Sequence, residues 1–409
     1  PSYGSAERLG ELASEAGGEL RVVENDLFAS TREAFASWVD RRSEPLTQEN
    51  FYRWMRRESG VLMDDGDPVG GAWNYDDQNR EFPPADWEAP PVPTHEYGAT
   101  TRETAAWVSE EFDAWGDPLG ETGPWPVTRQ QGQAQLQQFV EERLLSFGPY
   151  QDAMLRDEWA MSHALLGSAI NLGLLHPVEV IEAIEAAYRE GDVPLNSAEG
   201  AIRQVLGWRE FVRHAYQRAM PDLATANQLD ATHSLPAFYW DGDTEMACLA
   251  ECVGDVQARG YAHHIQRLMV LANFATLWGV EPAALNEWFH ATFVDAYHWV
   301  TTPNVVEMGA YAAGVFASKP YVSSANYVQK MSDYCEGCHY DPDADTGSEA
   351  CPFNALYWDF LARNEDTLRS NHRMGLMYGN LDTKRDSGDL TALRERVEEL
   401  RAAAASGEL

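Results

Sequence analysis

Cysteines are the feature that most constrains this fold, because three of them lie close together in sequence and can hold one centre. Cys335 and Cys338 form a Cys-x-x-Cys pair, and Cys351 follows after twelve further residues and precedes Pro352. Two thiolates at this spacing can bind one soft metal ion or an iron–sulfur cluster. A fourth thiol, Cys248, lies far upstream in a stretch with helical periodicity. The pattern predicts a metal or cluster site near the C-terminal end.

Other interpretations of the same cysteines stay open. The spacing does not exclude zinc, and His339 next to Cys338 would allow a mixed zinc site. A disulfide or a set of unrelated buried thiols would also satisfy the pattern.

The chain is strongly acidic, with a formal charge of −35 from 65 acidic and 30 basic residues. Only Lys319, Lys330 and Lys384 are lysines, and the other basic residues are arginines. This composition indicates adaptation to high salt, where self-repulsion between surface charges is screened; the alternative is an acidic enzyme from a GC-rich gene. By charge alone, nucleic acid is a poor partner, but this argument weakens in molar salt, where counterion release contributes less to binding.

The five cysteines fit a reducing compartment, and no N-terminal stretch resembles a signal peptide. No apolar run reaches the roughly 18 residues of a membrane span. We therefore expect a cytoplasmic protein without a membrane partner.

Helical periodicity dominates the 409 residues. The best strand candidate is residues 20–23, after a helix-like segment, which suggests the end of an α/β unit; together with a first residue that is not Met, it indicates a truncated or processed chain. Thr31 and Thr47 are candidate N-caps of the helices that follow, and residues 83–94 are a Pro-rich linker. From about residue 133 the chain is helical nearly to its end, and Asp389 is the expected cap of the last helix.

These features predict a mostly α fold in three parts. Residues 1–30 are the remnant of an α/β domain, residues 31–132 are a helical and Pro-rich linker, and residues 133–409 form a large all-helical domain.

Aromatic and amide side chains recur in the helical part, but Trp and Tyr at helical spacing are more often core than site. His263 and His264 are adjacent, so on a helix their side chains point about 100° apart. A histidine pair can transfer protons near neutral pH, although such a pair in an apolar helix is usually a packing feature.

Several segments together resemble one family, the iron–sulfur bacterial cryptochromes and photolyases, which form the prokaryotic (6-4) photolyase branch of the photolyase–cryptochrome superfamily. The segments that carry the resemblance are YRWMRRESGVLM (52–63), GGAWNYDDQNR (70–80), GPYQDAM (148–154), SHALLGSAINLGLLHP (162–177), LNSAEGAIRQVLGWREFVR (195–213), YAHHIQRLMV (261–270), YVQKMSDYCEGCHYDP (327–342) and ACPFNALYWDFL (350–361). The similarity covers nearly the whole chain and implies that most of an N-terminal antenna domain is missing.

The resemblance implies two cofactors. A [4Fe–4S] cluster would be held by Cys248, Cys335, Cys338 and Cys351, in a structural role that ties the C-terminal segment to the helical core. Cys252 lies four residues after Cys248 on the same helix face, so the choice between these two rests on the resemblance. FAD would be bound in the helical domain by His163, Leu166, Gly167, Gln204, Arg209, His264, Arg267 and Asp295. In the full-length protein, a ribityl-lumazine antenna would bind mostly through the missing domain.

The resemblance also assigns the chemistry. His263 and His264 would line the lesion pocket, one of them as proton donor. Electrons would reach the flavin through four aromatic residues, Trp288, Trp240, Tyr297 and Tyr327. The sequence departs from its relatives at Gly167, where many carry Ser, at Thr301, where they place Asn or an acid near flavin N5, and at Phe289, which removes a possible Tyr relay.

The expected function is blue-light-driven repair of (6-4) photoproducts in UV-damaged DNA by a monomeric (6-4) DNA photolyase, a carbon–carbon lyase. One alternative is a cryptochrome-type flavin photoreceptor without repair activity. A further alternative is a zinc-stapled helical DNA-binding protein without flavin. Asp76 and Asp77 are candidates for contact with DNA or a divalent ion, or are simply solvated carboxylates.

Overall fold

The structure is a computed structural model that describes residues 3–23, 25–41, 46–407 and 409. Its regular elements are almost all helical, as the periodicity of the sequence predicts. In chain order the α-helices are α1 Tyr3–Glu15, α2 Arg32–Asp40, α3 Gln48–Ser59, α4 Ala99–Glu111, α5 Arg129–Gln138, α6 Leu144–Tyr150, α7 Gly167–Asn171, α8 Pro177–Glu190, α9 Leu195–Ile202, α10 Glu210–Ala219, α11 Phe238–Asp241, α12 Ala247–Arg259, α13 Asn273–Trp278, α14 Pro282–Thr292, α15 His298–Thr302, α16 Ala325–Met331, α17 Pro352–Arg363, α18 Glu365–Leu368, α19 Gly375–Ser387 and α20 Asp389–Ser406.

Short irregular helices complete the helical part. Wider π-helical turns, which are rare and often mark functional sites, continue or join α-helices at Phe139–Arg143, Arg203–Arg209, Gln266–Ala272 and Pro303–Gly309. Single 3₁₀ turns lie at Val69–Gly71, Asp76–Gln78, Asp222–Thr225 and His372–Met374.

Strands are confined to two-residue pairs among the described residues. β1 Met63–Asp64 pairs antiparallel with β2 Asp67–Pro68, and β3 His95–Glu96 pairs antiparallel with β4 Thr122–Gly123. The predicted strand at residues 20–23 is wrong: these residues have no regular structure, and their side chains are exposed. Apolar β-branched residues form a strand only where a neighbouring strand accepts their hydrogen bonds, and no strand in the described part of the chain pairs with them.

Helix termini follow the predicted capping chemistry at two of three positions. Thr31 and Thr47 cap α2 and α3, because their side chains accept hydrogen bonds from the backbone N–H of Ala34 and Asn50. Asp389 is not the cap of α20: Gly388 occupies that position in a left-handed conformation, and Asp389 is the first helical residue. There its carboxylate still lies at the positive end of the helix dipole.

Two large hydrophobic clusters form most of the core, and two smaller ones lie beside them. One large cluster is built from α2, α3 and the helices between residues 136 and 211, and the other from α12 to α20 and the segments between them. No helix in the described residues is both long and apolar enough to span a membrane.

A buried histidine beneath α2 makes stability sensitive to acid. The ring of His214 stacks on Phe35 at 4.2 Å, and its Nε2 lies 2.8 Å from the hydroxyl of Ser30. Burial, followed by repulsion from the charges of Arg213 and Arg32, lowers the pKa of His214 to about 3.

We expect the free energy of unfolding to fall as pH falls below about 6.5, where histidine in the unfolded chain binds a proton that the folded protein excludes until about pH 3. His214 contributes at most about 1.4 kcal/mol per pH unit in this window. Urea unfolding of the wild type and a His214→Gln variant at several pH values tests this. The free energy of unfolding of His214→Gln should fall less steeply with decreasing pH than that of the wild type. A variant at an exposed histidine, His290→Gln, should match the wild type. Equal dependence on pH in all three proteins would contradict the assignment.

Candidate functional site

A cavity of about 710 Å³ lies between the two large hydrophobic clusters, with walls from both. All four π-helical turns supply lining residues: Phe139, Arg203, Leu268 and Val305 are one from each. The volume falls in the range of about 300–1,000 Å³ that is typical of ligand and cofactor sites. Eight predicted cofactor contacts all line this cavity: His163, Leu166, Gly167, Gln204, Arg209, His264, Arg267 and Asp295.

An ion pair crosses one wall. Arg267 donates from Nη1 and Nη2 to the two carboxylate oxygens of Asp295, both at 3.0 Å, and its guanidinium lies 4.3 Å from the ring centre of Phe293. Arg267 Nε also donates to the carbonyl of Ala262. A Cβ at Gly167 would lie 3.2 Å from Asp295 Oδ2. The close approach of this carboxylate is a steric reason for glycine at this position, where many relatives carry Ser.

Removing one partner of this ion pair should destabilise the folded protein more than removing both charges, because it leaves one partly buried charge without a partner. We expect Asp295→Ala to lower the thermal unfolding midpoint of the flavin-loaded protein by about 2–5 °C. The double variant with Arg267→Met should recover part of this loss. The surface pair Arg369–Asp382, with side chains 41% and 44% exposed, is the matched control and should show little coupling. Equal coupling in the two pairs would contradict the prediction.

Three histidines converge at the edge of the cavity. The rings of His163 and His263 are stacked with centroids 4.6 Å apart, and the ring of His264 lies 5.3 Å from that of His163. His263 is fully buried and does not line the cavity, whereas the side chain of His264 is 45% exposed and does. Asp152, which the sequence did not single out, lies 3.3 Å from His264 Nε2 and can orient that ring.

Burial keeps two of these rings neutral. Desolvation, reinforced by the neighbouring histidines, lowers the pKa of His163 and of His263 well below the ordinary histidine value. The accessible ring of His264 is therefore the one placed to exchange a proton with a molecule in the cavity.

Arg209 lies at another part of the wall, held by contacts behind it. Its Nη1 donates to the carbonyl of Leu27 and lies 3.3 Å from Glu210 Oε1, while its guanidinium packs on the rings of Phe28 and Trp299. Burial lowers the pKa of Arg209 to about 10, although the charge of Glu210 opposes this shift. The group stays cationic at neutral pH and can attract an anion to the cavity.

The loop before α7 is held in a strained conformation. Three non-glycine residues near it have positive φ: Asp157 at 64°, Met161 at 44° and Leu165 at 56°. Strain of this kind persists only where surrounding contacts fix the backbone. The fully buried Arg143 supplies them, because its guanidinium donates to the carbonyls of Pro90, Pro91, Ala160, Met161 and His163. Arg143 thereby also ties the Pro-rich segment to the cavity; a single arginine in a helical pattern gave no signal of this role.

The predicted electron-transfer residues lie outside the cavity wall. Trp288 is fully buried and contacts the ring of Phe289, which lines the cavity, at 5.1 Å. On its other side Trp288 contacts Tyr239, also at 5.1 Å, and donates from Nε1 to the carbonyl of Tyr239. The next residue, Trp240, is 43% exposed. An aromatic path therefore runs by ring contacts from Phe289 through Trp288 to Tyr239, whose chain neighbour Trp240 is exposed.

The two tyrosines do not join this path. Tyr297 precedes α15, and Tyr327 lies in α16, where burial raises its pKa. Within the described residues, neither ring contacts another member of the path. Trp115, which the sequence did not single out, packs edge-on against Trp240 at 6.0 Å and donates to its carbonyl.

The four predicted cysteine ligands line one small apolar cavity away from the large one: Cys248, Cys335, Cys338 and Cys351. Gly337 adopts a φ of 73°, which closes the turn between two of them and which other residues rarely tolerate. Cys351 is the residue before the first turn of α17, where Pro352 fits because that turn needs no N–H donor. Cys252 is buried but does not line this cavity, so the structure places Cys248 with the other three.

The spacing of the four cysteines differs from that around a single zinc ion. His339 does not line the cysteine cavity, and its Nε2 lies 3.5 Å from Glu245. Tetrahedral zinc with bonds of about 2.3 Å would bring its sulfur ligands to about 3.8 Å from one another. Among the described residues, no three of the cysteine sulfur atoms lie within 4.8 Å of one another. This wider spacing suits a larger centre.

Known proteins resemble this chain over most of its length. A sequence model of the family described as "Deoxyribodipyrimidine photo-lyase-related protein" matches residues 2–121. A "(6-4) photolyase" from Agrobacterium fabrum is 44% identical over 368 residues, which cover 90% of this chain and 72% of that protein. The "Uncharacterized protein R855" of Acanthamoeba polyphaga mimivirus is 28% identical over 130 residues, 32% of this chain and 97% of the viral protein.

The fold is also found among solved structures. A bacterial class III photolyase from Agrobacterium tumefaciens aligns with 93% of this chain and 77% of its own, with a TM-score of 0.51 and 16% sequence identity. At this identity the likeness concerns the fold alone, and it confirms the predicted mostly helical class.

Proposed function

This chain belongs to the (6-4) photolyase family, and we propose that it repairs (6-4) photoproducts in UV-damaged DNA under blue light, with FAD as cofactor. The observation that carries the proposal is the cavity itself, where the accessible His264 and its partner Asp152 lie in the same space as the Arg267–Asp295 pair. A site for a flavin and a proton-transfer group therefore adjoin each other.

The residues of the cavity fit FAD. Apolar side chains of both clusters suit a flat aromatic ring system, and the guanidinium of Arg209, whose Nε has no partner among the described residues, can donate to a diphosphate. Gln48 Nε2 is likewise buried at the wall without a hydrogen-bond partner in the described part of the chain, and a polar cofactor would satisfy both groups.

Bound FAD supplies the light absorption and the electron for repair, and the protein supplies position and proton transfer. The lesion must leave the DNA helix to reach the cavity, which a damaged base pair permits at lower cost than an intact one. Asp152 orients the ring of His264, and His264 moves a proton to the flipped lesion. Fully buried His263 packs against His163 and acts as a positioning residue behind His264.

Trp288 is the proposed inner residue of the electron path and Trp240 the outer one, with Tyr297 and Tyr327 as weaker candidates. We expect Trp288→Phe to slow light-driven reduction of the bound flavin at least about 10-fold, because phenylalanine packs like an aromatic residue but does not donate an electron under these conditions. The measurement is the flavin absorbance under blue light with an external reductant. Trp278→Phe, in a similarly buried tryptophan stacked on Phe274, is the control. Equal rates for the two variants would contradict the path.

The four cysteines around the small cavity are proposed to hold a [4Fe–4S] cluster. Their sulfur atoms are too widely spaced for one zinc ion, and their surroundings are apolar. Such a cluster would connect α12, the turn at residues 335–338 and the start of α17. Its role would be structural.

Further parts of the proposal follow from composition. Residues 133–409 would form the FAD- and cluster-binding domain, residues 31–132 the linker, and residues 1–30 the antenna-domain remnant. The charge of −35 supports a halophilic, cytoplasmic monomer that meets DNA at high salt. A ribityl-lumazine antenna stays a prediction from the resemblance.

Lesion choice tests the function. The flavin- and cluster-loaded protein, reduced and in high salt, is incubated under blue light with duplexes that carry either a (6-4) photoproduct or a cyclobutane dimer. We expect the protein to restore the pyrimidines of the duplex with the (6-4) photoproduct and to leave the cyclobutane dimer unrepaired. Repair of the cyclobutane dimer alone would contradict the substrate assignment, and repair of neither by protein with both cofactors bound would favour a photoreceptor.

A further inference from the structure

The three histidines at the cavity edge form a constellation that proton transfer alone does not require. One nitrogen from each of His163, His263 and His264 lies within 4.8 Å of the others, although the residues come from chain segments about one hundred positions apart. Among the described residues, this is the one such grouping of potential metal ligands.

Buried nitrogen atoms in this constellation lack hydrogen-bond partners. His263 is fully buried, and neither its Nδ1 nor its Nε2 has a partner among the described residues. Nε2 of His163, a residue 7% exposed, is also without one. Burying polar atoms without partners costs free energy, so these rings are poised to bind something that supplies a partner.

We propose that His163, His263 and His264, together with the carboxylate of Asp152, form a binding site for a divalent transition metal of the Zn²⁺ class. Three imidazoles and one carboxylate are a common donor set for Zn²⁺, Cu²⁺ and Ni²⁺, whereas Mg²⁺ prefers an all-oxygen set. Asp152 already lies 3.3 Å from His264 Nε2, so the fourth donor is at hand.

Metal binding requires the rings to reorient, because the near-parallel stack of His163 on His263 points their in-plane nitrogen lone pairs in similar directions. Tetrahedral zinc with Zn–N bonds of about 2.0–2.1 Å separates its nitrogen ligands by about 3.4 Å. The three nitrogens, now within 4.8 Å of one another, must therefore draw closer. The side chain of His264 is 45% exposed and can rotate toward the stacked pair. His163, His264 and Asp152 all line the large cavity, which gives an ion a route of entry.

Metal binding would compete with repair. An ion bound to His264 would occupy the ring that the proposed reaction needs and the space where a flipped base would lie. This consequence rests on the proposed function, and the binding site itself does not. Zn²⁺ should therefore inhibit repair, with inhibition relieved by a chelator.

The test is calorimetric titration of the flavin- and cluster-loaded protein with Zn²⁺, in high salt and with excess Mg²⁺ to saturate the acidic surface. We expect one zinc ion per chain, with affinity lowered at least 10-fold in His264→Asn and in Asp152→Asn. His372→Gln, an exposed histidine far along the sequence in a 3₁₀ turn, is the control and should bind as the wild type does. Iron content before and after titration shows that the cysteine site has not exchanged its metal.

The outcomes separate the two proposals. No zinc binding above the Mg²⁺ background, or equal loss in His264→Asn and His372→Gln, would overturn the metal site. Zinc binding that depends on His264 and Asp152 in a protein that repairs no lesion would support the metal site and contradict the repair function.

Discussion

Replacement of His264 by Asn is expected to lower the rate of light-driven (6-4) repair by about 100-fold or more, the usual contribution of a positioned proton-transfer group. His264 is the accessible member of the histidine constellation, and Asp152 fixes its ring at the cavity wall. Asparagine keeps a polar side chain of similar reach but cannot carry the proton. Single-turnover repair under saturating light measures the effect.

The same variant should leave the fold and the flavin in place, because the side chain is 45% exposed and its removal opens no core cavity. Flavin content and the rate of flavin photoreduction should therefore match the wild type. Asp152→Asn should slow repair less than His264→Asn does, since Asp152 orients the ring of His264 but does not exchange the proton itself. A His264→Asn protein that repairs at the wild-type rate would overturn its assignment as the proton donor.

Replacement of Cys351 by Ala is expected to abolish cluster binding and to lower the thermal unfolding midpoint by about 10 °C or more. Metal centres that link separate chain segments contribute their binding free energy directly to folding. Cys351 lies at the start of α17, whose Asp359 binds Arg394 and Arg401 of α20. Loss of the centre should therefore loosen the C-terminal helices. Iron analysis and thermal unfolding measure both effects.

Cys252→Ala is the control, because this thiol is fully buried one turn from Cys248 but does not line the cysteine cavity. It should retain full iron content and lose only the stability that one buried sulfur atom contributes. A Cys252→Ala protein without iron, or a Cys351→Ala protein with full iron, would show that the ligand set is wrong.

The sequence predicted the residues that line the site better than it predicted the residues that hold them in position. The family resemblance named the eight residues that line the cavity and the fourth cysteine, and local spacing named the other three cysteines. Asp152 and Arg143 were missed because their roles depend on contacts that only folding creates: Arg143 donates to carbonyls up to 53 positions away. Likewise, spacing alone could not choose between Cys248 and Cys252, which share a helix face.

Local signals failed where a distant partner decides the outcome. Residues 20–23 carry β-branched side chains, but a strand needs a neighbour, and this exposed segment pairs with no strand among the residues that the structure describes. Thr31 and Thr47 were predicted correctly because a helix cap depends on residues only three positions away. The two tyrosines predicted for electron transfer were chosen by resemblance, and their rings lie off the aromatic path.

The most direct test of the central claim is conversion of a (6-4)-containing oligonucleotide by the flavin- and cluster-loaded protein, in the light and in the dark. The cavity that holds His264 beside the flavin site predicts restoration of the two pyrimidines under blue light and none in the dark. Conversion at the same rate in the dark, or no conversion in either condition by protein with both cofactors bound, would contradict light-driven repair.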